Sequence, residues 1–351
     1  MTEHFQPPMS TTLDATGDLT APKESGQNDE ARHTLGSLST APGFWRATAA
    51  KEIATSETGA HAWGAENLRK RRTPKPLHRL CGGESPLTWG VVPDRLDENA
   101  ARLTRWCQTV AAVEPEDKAT RKSSQRVADA VSERISDAPL QPQSIESGLA
   151  ALAVAHLLAD RRIEWDSDLW WRAADLVFEM AVNGSSWECD EDLEPRAAVA
   201  QQLHAGELPL TLSYLFDEIQ PLYDLRDGAR SRLGEGIEAL LNGQGLWHGA
   251  LHSAARALVA CWTRCRAVGE TLKRGAWSSE AEDQFRCLVT TALQWSAPDG
   301  TQWLVDTQEN AGWTPSFLQT LLRLGGDRAD LSAARELLGK KLCGPGKSNN
   351  R

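Results

Sequence analysis

Two histidines, His248 and His252, stand four residues apart in Leu246-Trp247-His248-Gly249-Ala250-Leu251-His252. On a helix that spacing puts two imidazoles on one face, an arrangement that serves metal ligation, substrate contact or ordinary hydrogen bonding. The residues between them are Gly, Ala and Leu, so the glutamate of an HExxH site is absent. Cys261 and Cys265 repeat the spacing downstream. In one continuous helix His252 and Cys265 would be roughly 20 Å apart at ~1.5 Å per residue, too far to share an ion. The expectation is therefore no metal and no other cofactor.

Other residues offer weaker chemistry. Arg162 and Arg266 could take sugar carboxylates through bidentate hydrogen bonds, or simply complement helix dipoles. Trp187-Glu188-Cys189-Asp190-Glu191-Asp192-Leu193-Glu194 is an acidic loop without the spacing or glycine of an EF-hand. There is no GxSxG, no P-loop and no GxGxxG opening a helix after a strand. Trp outnumbers the other aromatics, at 14 against 6 Phe and 2 Tyr. Indoles fill cores, and they also stack on sugar rings.

Helices must position these groups. Leu96, Leu103, Trp106 and Val110 predict a helix over about 94–112, and Val127, Val131 and Ile135 a second over about 120–136. Leu149, Leu152 and His156 mark the next. Asp166 caps another, which Asn183-Gly184 stops. Pro195 opens a helix that Gly206 interrupts, and the stripe Leu208, Leu212, Leu215 and Ile219 is broken by Pro221. Leu233 to Leu241 and Leu251 to Cys265 follow. Ser279 with Glu282 has capping-box spacing, Thr314-Pro315 opens a further helix, and Asp327 begins the last. No alternating strand run intervenes. The predicted fold is all-α, with helical hairpins packed either as a solenoid or as an incomplete α/α toroid.

Residues 1–88 read as a poorly ordered polar leader, 89–343 as the helical toroid-like domain, and 344–351 as a disordered tail. A net charge of −10 argues against nucleic acid and anionic membranes as partners. Arg69-Lys70-Arg71-Arg72 is a local basic exception within the leader. No apolar run spans a bilayer and no export signal is visible, which reads as a cytoplasmic chain with reduced cysteines.

The phrases Leu240-Leu241-Asn242-Gly243-Gln244-Gly245-Leu246-Trp247-His248 and Leu258-Val259-Ala260-Cys261-Trp262-Thr263-Arg264-Cys265-Arg266 resemble the helical part of heparinase II/III-like proteins. Gly206-Glu207-Leu208-Pro209-Leu210-Thr211-Leu212 and Pro298-Asp299-Gly300-Thr301-Gln302 add to the likeness, which covers about 140–343. The resemblance implies an incomplete α/α toroid holding an acidic polysaccharide, and β-elimination chemistry. In such chemistry one group neutralises the uronate carboxylate while a Tyr or His moves each proton. On a lyase reading His248 would be proton acceptor or donor, His252 its neighbour and Tyr214 a candidate acid. Asn310 and Arg266 become carboxylate contacts, and Trp247 and Trp313 stacking platforms.

The sequence departs from that family in two ways, the second of which includes the place of its tyrosines. No β-sandwich segment follows the last helix, the family's Asn-His pair with a downstream Tyr is missing, and both tyrosines, Tyr214 and Tyr223, precede His248. Members of the family are also exported. The expectation therefore includes a truncated or inactive lyase that still binds its polysaccharide. The alternatives are a non-catalytic scaffold for a glycan or protein partner, and a glycosidase-type toroid using carboxylates of the acidic loop and Asp299.

Overall fold

The computed structural model describes residues 34–56, 59–70, 74–82, 85–112, 129, 131, 144–160, 162–187, 194–303, 305 and 311–343. Within them the chain is all-α. The helices are α1 Leu35–Leu38, α2 Ala47–Ala54, α3 Ala60–Lys70, α4 Leu77–Leu80 and α5 Glu98–Ala112. Next come α6 Ile145–Leu158, α7 Ser167–Ser185, α8 Pro195–Gln201, α9 Leu208–Leu215 and α10 Gln220–Leu240. The last are α11 Ala255–Gly269, α12 Ser279–Gln294, α13 Pro315–Gly325 and α14 Arg328–Cys343. Extended pairing among the described residues is confined to single bridges, Trp45 with Ile219, Leu241 with Trp247, and Ser296 with Gln302. No described helix is long and apolar enough to cross a membrane. Of the predicted helix over 120–136 only residues 129 and 131 are described, both helical, and the tail 344–351 lies outside the described residues.

The segment from Pro195 to Leu215 forms an axis on which several of the described helices pack. Gly206 was expected to interrupt it, yet the helix runs on through a wider turn of π geometry at Gln202–Glu207, where the Leu208 N–H reaches the Leu203 carbonyl. Pro209 follows at once, and proline supplies no N–H for the usual bond and crowds the carbonyl four residues back. A π turn ahead of it relieves that mismatch and rotates the following side chains. Glycine serves at 206 because a Cβ there would come within 2.5 Å of a Leu233 methyl. Every residue from Ala198 to Phe216 is buried, and α6, α7, α10 and α11 all pack on this axis.

Local signals fix most of the surrounding boundaries. Asp166 accepts from the Asp168 and Leu169 amides and starts α7. Thr314 accepts from the Phe317 amide ahead of Pro315 in α13. Ser278, not Ser279, caps α12, accepting from the Ala281 amide. Pro221 does not break a helix. It occupies the first turn of α10, where its missing N–H costs nothing. Helix α6 is apolar on every side rather than striped, which suits a helix enclosed by others.

Residues 34–88 were expected in a poorly ordered leader, but the described part of that stretch is helical and packed. Phe44, Trp45 and Trp63 are buried with Trp171, and the ring centroids of Trp45 and Trp63 lie 5.4 Å apart, edge to face. The Gln220 amide donates to the Phe44 carbonyl and the Arg46 amide to Glu218, each at 2.8 Å. These partners are over a hundred residues away, so no local pattern announces them.

Candidate functional site

The chain leading into α11 does not continue the helix back to the histidines. Gly249–Ser253 is a 3₁₀ turn and His248 precedes it in extended conformation (ψ 129°). The one-face stacking expected of His248 and His252 on an α-helix is therefore not formed. His248 is partly exposed. His252 stacks on Trp295 with centroids 4.5 Å apart, and its Nδ1 is buried with no hydrogen-bond partner.

A short hairpin lies against this turn. The Trp303 amide donates to Trp295 and the Ala297 amide to Thr301, each at 2.9 Å, while Gln302 Nε2 donates to the His252 carbonyl at 2.7 Å. Asp299 holds the tip by accepting from the Thr301 amide and hydroxyl, bonds that lower its pKa. The Trp313 amide bonds to the Gly300 carbonyl, and its indole N–H donates to Ser296 Oγ at 2.8 Å. Trp303 projects from this hairpin with 53% of its surface exposed.

Arg256 lies at the centre of these contacts. Its guanidinium carbon stands 3.5 Å from the Trp313 ring centroid, and Nη2 reaches Ser296 Oγ at 3.4 Å. Its Nε has no partner, and no carboxylate among the described residues forms an ion pair with it. Only 5% of the residue is exposed, and desolvation drags its pKa down to about 9. Trp89 stacks on Phe317, which meets Trp313 edge-on, and the Trp89 indole N–H is likewise buried without a partner. Gly90 (φ +71°) presses on the Arg256 backbone, where a Cβ would fall 2.2 Å from the Arg256 carbonyl oxygen. The start of α11 thus gathers three unsatisfied nitrogens: Arg256 Nε, His252 Nδ1 and Trp89 Nε1.

The remaining sequence candidates are spread elsewhere. Tyr214 donates its hydroxyl to the Lys75 carbonyl at 2.9 Å and also meets the Thr271 hydroxyl, and burial pushes its pKa up to about 12. Thr271 follows the far end of α11, so Tyr214 and His248 are separated by its fifteen residues, roughly 20 Å of helix. They share no cleft. Trp247 is buried flat against Trp262, with centroids 5.6 Å apart, and Trp313 is buried beneath Arg256. Neither offers an open stacking face.

Arg266 is spent on Glu282, at 2.9 Å, a carboxylate that also accepts from the Trp277 indole. Arg162 is held by Asp160. Asn310 and the acidic loop 188–193 lie outside the described residues. Sequence reasoning missed Arg256 and Trp303. The only signal for Arg256 was a charged residue on the apolar flank of Ala255 and Leu258.

A second polar group lies deeper. Glu207 accepts from Arg264 Nε at 2.6 Å and Nη2 at 2.7 Å, and Nη1 donates to the Pro86 carbonyl at 3.1 Å. Burial works against the Arg264 charge, but Glu207 more than offsets it and raises the pKa. Gln202 accepts from the Trp262 indole at 2.8 Å, and His204 meets Ser147 Oγ at 3.0 Å. No family model, curated protein or solved structure matches the chain.

Proposed function

We propose that this chain binds an acidic polysaccharide and that Arg256 receives a sugar carboxylate at the start of α11. The carrying observation is the buried guanidinium with no acidic partner among the described residues. A desolvated, unpaired charge is costly, so a protein retains one where something bound there neutralises it. A carboxylate would supply both the charge and the acceptor that Arg256 Nε lacks. Trp303 is exposed on the hairpin that carries Ser296, and indoles offer sugar rings an apolar face. His252 lies four residues before Arg256 with Nδ1 unpaired, and in this reading it is the group that takes the proton of a bound uronate. In this reading the helical pairs curl as an open toroid and the heparinase-like chemistry, if retained, runs through His252 rather than through His248 with Tyr214.

The test is titration with uronate oligosaccharides and with neutral ones of equal length, followed by tryptophan fluorescence. Uronate oligomers should bind, neutral ones should not, and Arg256→Gln should weaken binding at least about tenfold, the loss of one charge-assisted hydrogen-bonded pair. Absorbance of unsaturated uronate products is followed in parallel. A signal lost in His252→Ala makes the chain a lyase, and binding without signal makes it a binding protein. Failure of every acidic oligomer to bind overturns the proposal and leaves the scaffold with a protein partner.

A further inference from the structure

The second site lies roughly 8–14 Å further along α11, five to nine residues beyond Arg256 at ~1.5 Å each, and involves none of the groups assigned to the sugar. Cys261 and Cys265 are one turn apart on α11 and face the axial helix, where Glu207 closes the π turn. The two Sγ atoms and a Glu207 carboxylate oxygen all lie within 4.8 Å of one another, and all three residues are buried. From these juxtaposed ligands we infer a site for one thiophilic divalent cation of the zinc class, held by Cys261, Cys265 and Glu207.

Ligand chemistry and charge both fit. Two thiolates and one carboxylate are a donor set that zinc accepts, while magnesium and calcium prefer oxygen alone. Arg264 does not block the carboxylate. Two guanidinium N–H groups use one lone pair on each oxygen, and a carboxylate offers about four such positions. Arg264 becomes the group that orients the ligand, as hydrogen-bonded partners of metal ligands commonly do.

The charges also close. Without metal, two neutral thiols sit beside a Glu207–Arg264 pair, for no net charge. With it, two thiolates balance the divalent ion and the pair is unchanged. The exchange is two S–H protons released for one cation bound, with no oxidant or reductant. A monovalent ion would leave a buried negative charge, which disfavours copper(I). Burial raises both thiols, so the ion, not solvent, must displace their protons. Three protein ligands leave the fourth tetrahedral position to an enclosed water or small anion.

Why the π turn belongs to this site follows from helix phase. An extra residue in one turn advances every later side chain by roughly 100°. Glu207 is the last residue of that turn, and its direction toward α11 depends on it.

The experiment uses the whole, reduced chain, stripped with a chelator and titrated with Co2+ as a spectroscopic stand-in for Zn2+. One equivalent should produce thiolate-to-cobalt charge transfer in the near ultraviolet, and excess Zn2+ should bleach it. Cys261→Ser or Cys265→Ser should lower the band by about half or more, the double variant should abolish it, and Cys287→Ser, at an exposed thiol, should leave it intact. Circular dichroism checks that each variant is folded. Should the buried substitutions fail to fold, wild-type protein alone decides. Release of two protons per ion supports the site, and metal uptake without proton release overturns it. So does the absence of any charge-transfer band at millimolar cobalt, or a band that survives in a folded double variant. Sugar binding is unaffected by any of these outcomes.

Discussion

Arg256 and Arg264 sit two turns apart on the same helix, and both are almost wholly withdrawn from water, at 5% and 2% exposure. Arg264 has a carboxylate on two of its nitrogens and a carbonyl on the third. Arg256 has an indole face, one long contact to a serine hydroxyl, and an empty Nε. The same side chain in nearly equal burial is a structural tie in one place and an unfinished pair in the other. The difference teaches that burial alone does not mark function. What marks it is burial without the partner that burial demands.

Breaking the finished pair should have the largest effect. Glu207→Gln keeps the shape but leaves Arg264 an uncompensated buried cation, which costs about 3–5 kcal/mol. Urea unfolding should show a midpoint shift of that size, with little change in slope.

Next comes pH. His156 carries a buried Nε2 with no partner, and burial, aided by the charge of Arg264, lowers its pKa from 6.5 to about 4. The unfolded chain then holds more protons than the folded one between those values. Stability is complete above pH 6.5 and declines as pH falls toward 4. His156→Gln should flatten that part of the curve measured by chemical denaturation. A curve unchanged by the substitution would show that His156 takes up its proton alike in the folded and unfolded chain.

The unfinished pair should behave oppositely. Arg256→Met replaces a desolvated charge with an apolar side chain of similar length, so stability should change by less than about 1 kcal/mol or rise. Uronate binding should be lost all the same. Loss of stability like that of Glu207→Gln would show that Arg256 is structural and end the contrast.

The smallest effect belongs at the surface. Arg323 and Glu270 pair at 2.8 Å but are 47% and 44% exposed, so Arg323→Gln should cost no more than about 1 kcal/mol. Its purpose is to show that the buried pair owes its strength to burial and not to ion pairing as such.

Much of the helical frame was legible because its signals are local. Asp166 and Thr314 name their helices by what they offer the next few amides. Ser279 misled because Glu282, the expected return partner of a capping box, is taken by Arg266 and Trp277. Pro221 and Gly206 were read as breaks, but one starts a helix and the other sits in a continuous one. The sites were less legible because each is assembled across sequence distance. Glu207 meets Arg264 from 57 residues away, and Arg256 stands out only once Trp313, Ser296 and Trp89 are seen around it. No periodicity records which charges lack a partner.

The docking of residues 34–88 has a consequence in time. Leu35 waits for Asp175, 140 positions on, and Arg46 for Asp217, 171 positions on. At about 5–20 residues per second of synthesis, those partners emerge roughly ten to thirty seconds after the segment that needs them. Throughout that interval Phe44, Trp45 and Trp63 have no Trp171 to cover them. On the ribosome the chain therefore presents its most aromatic early stretch bare, and a holding chaperone has a defined window and a defined place to act.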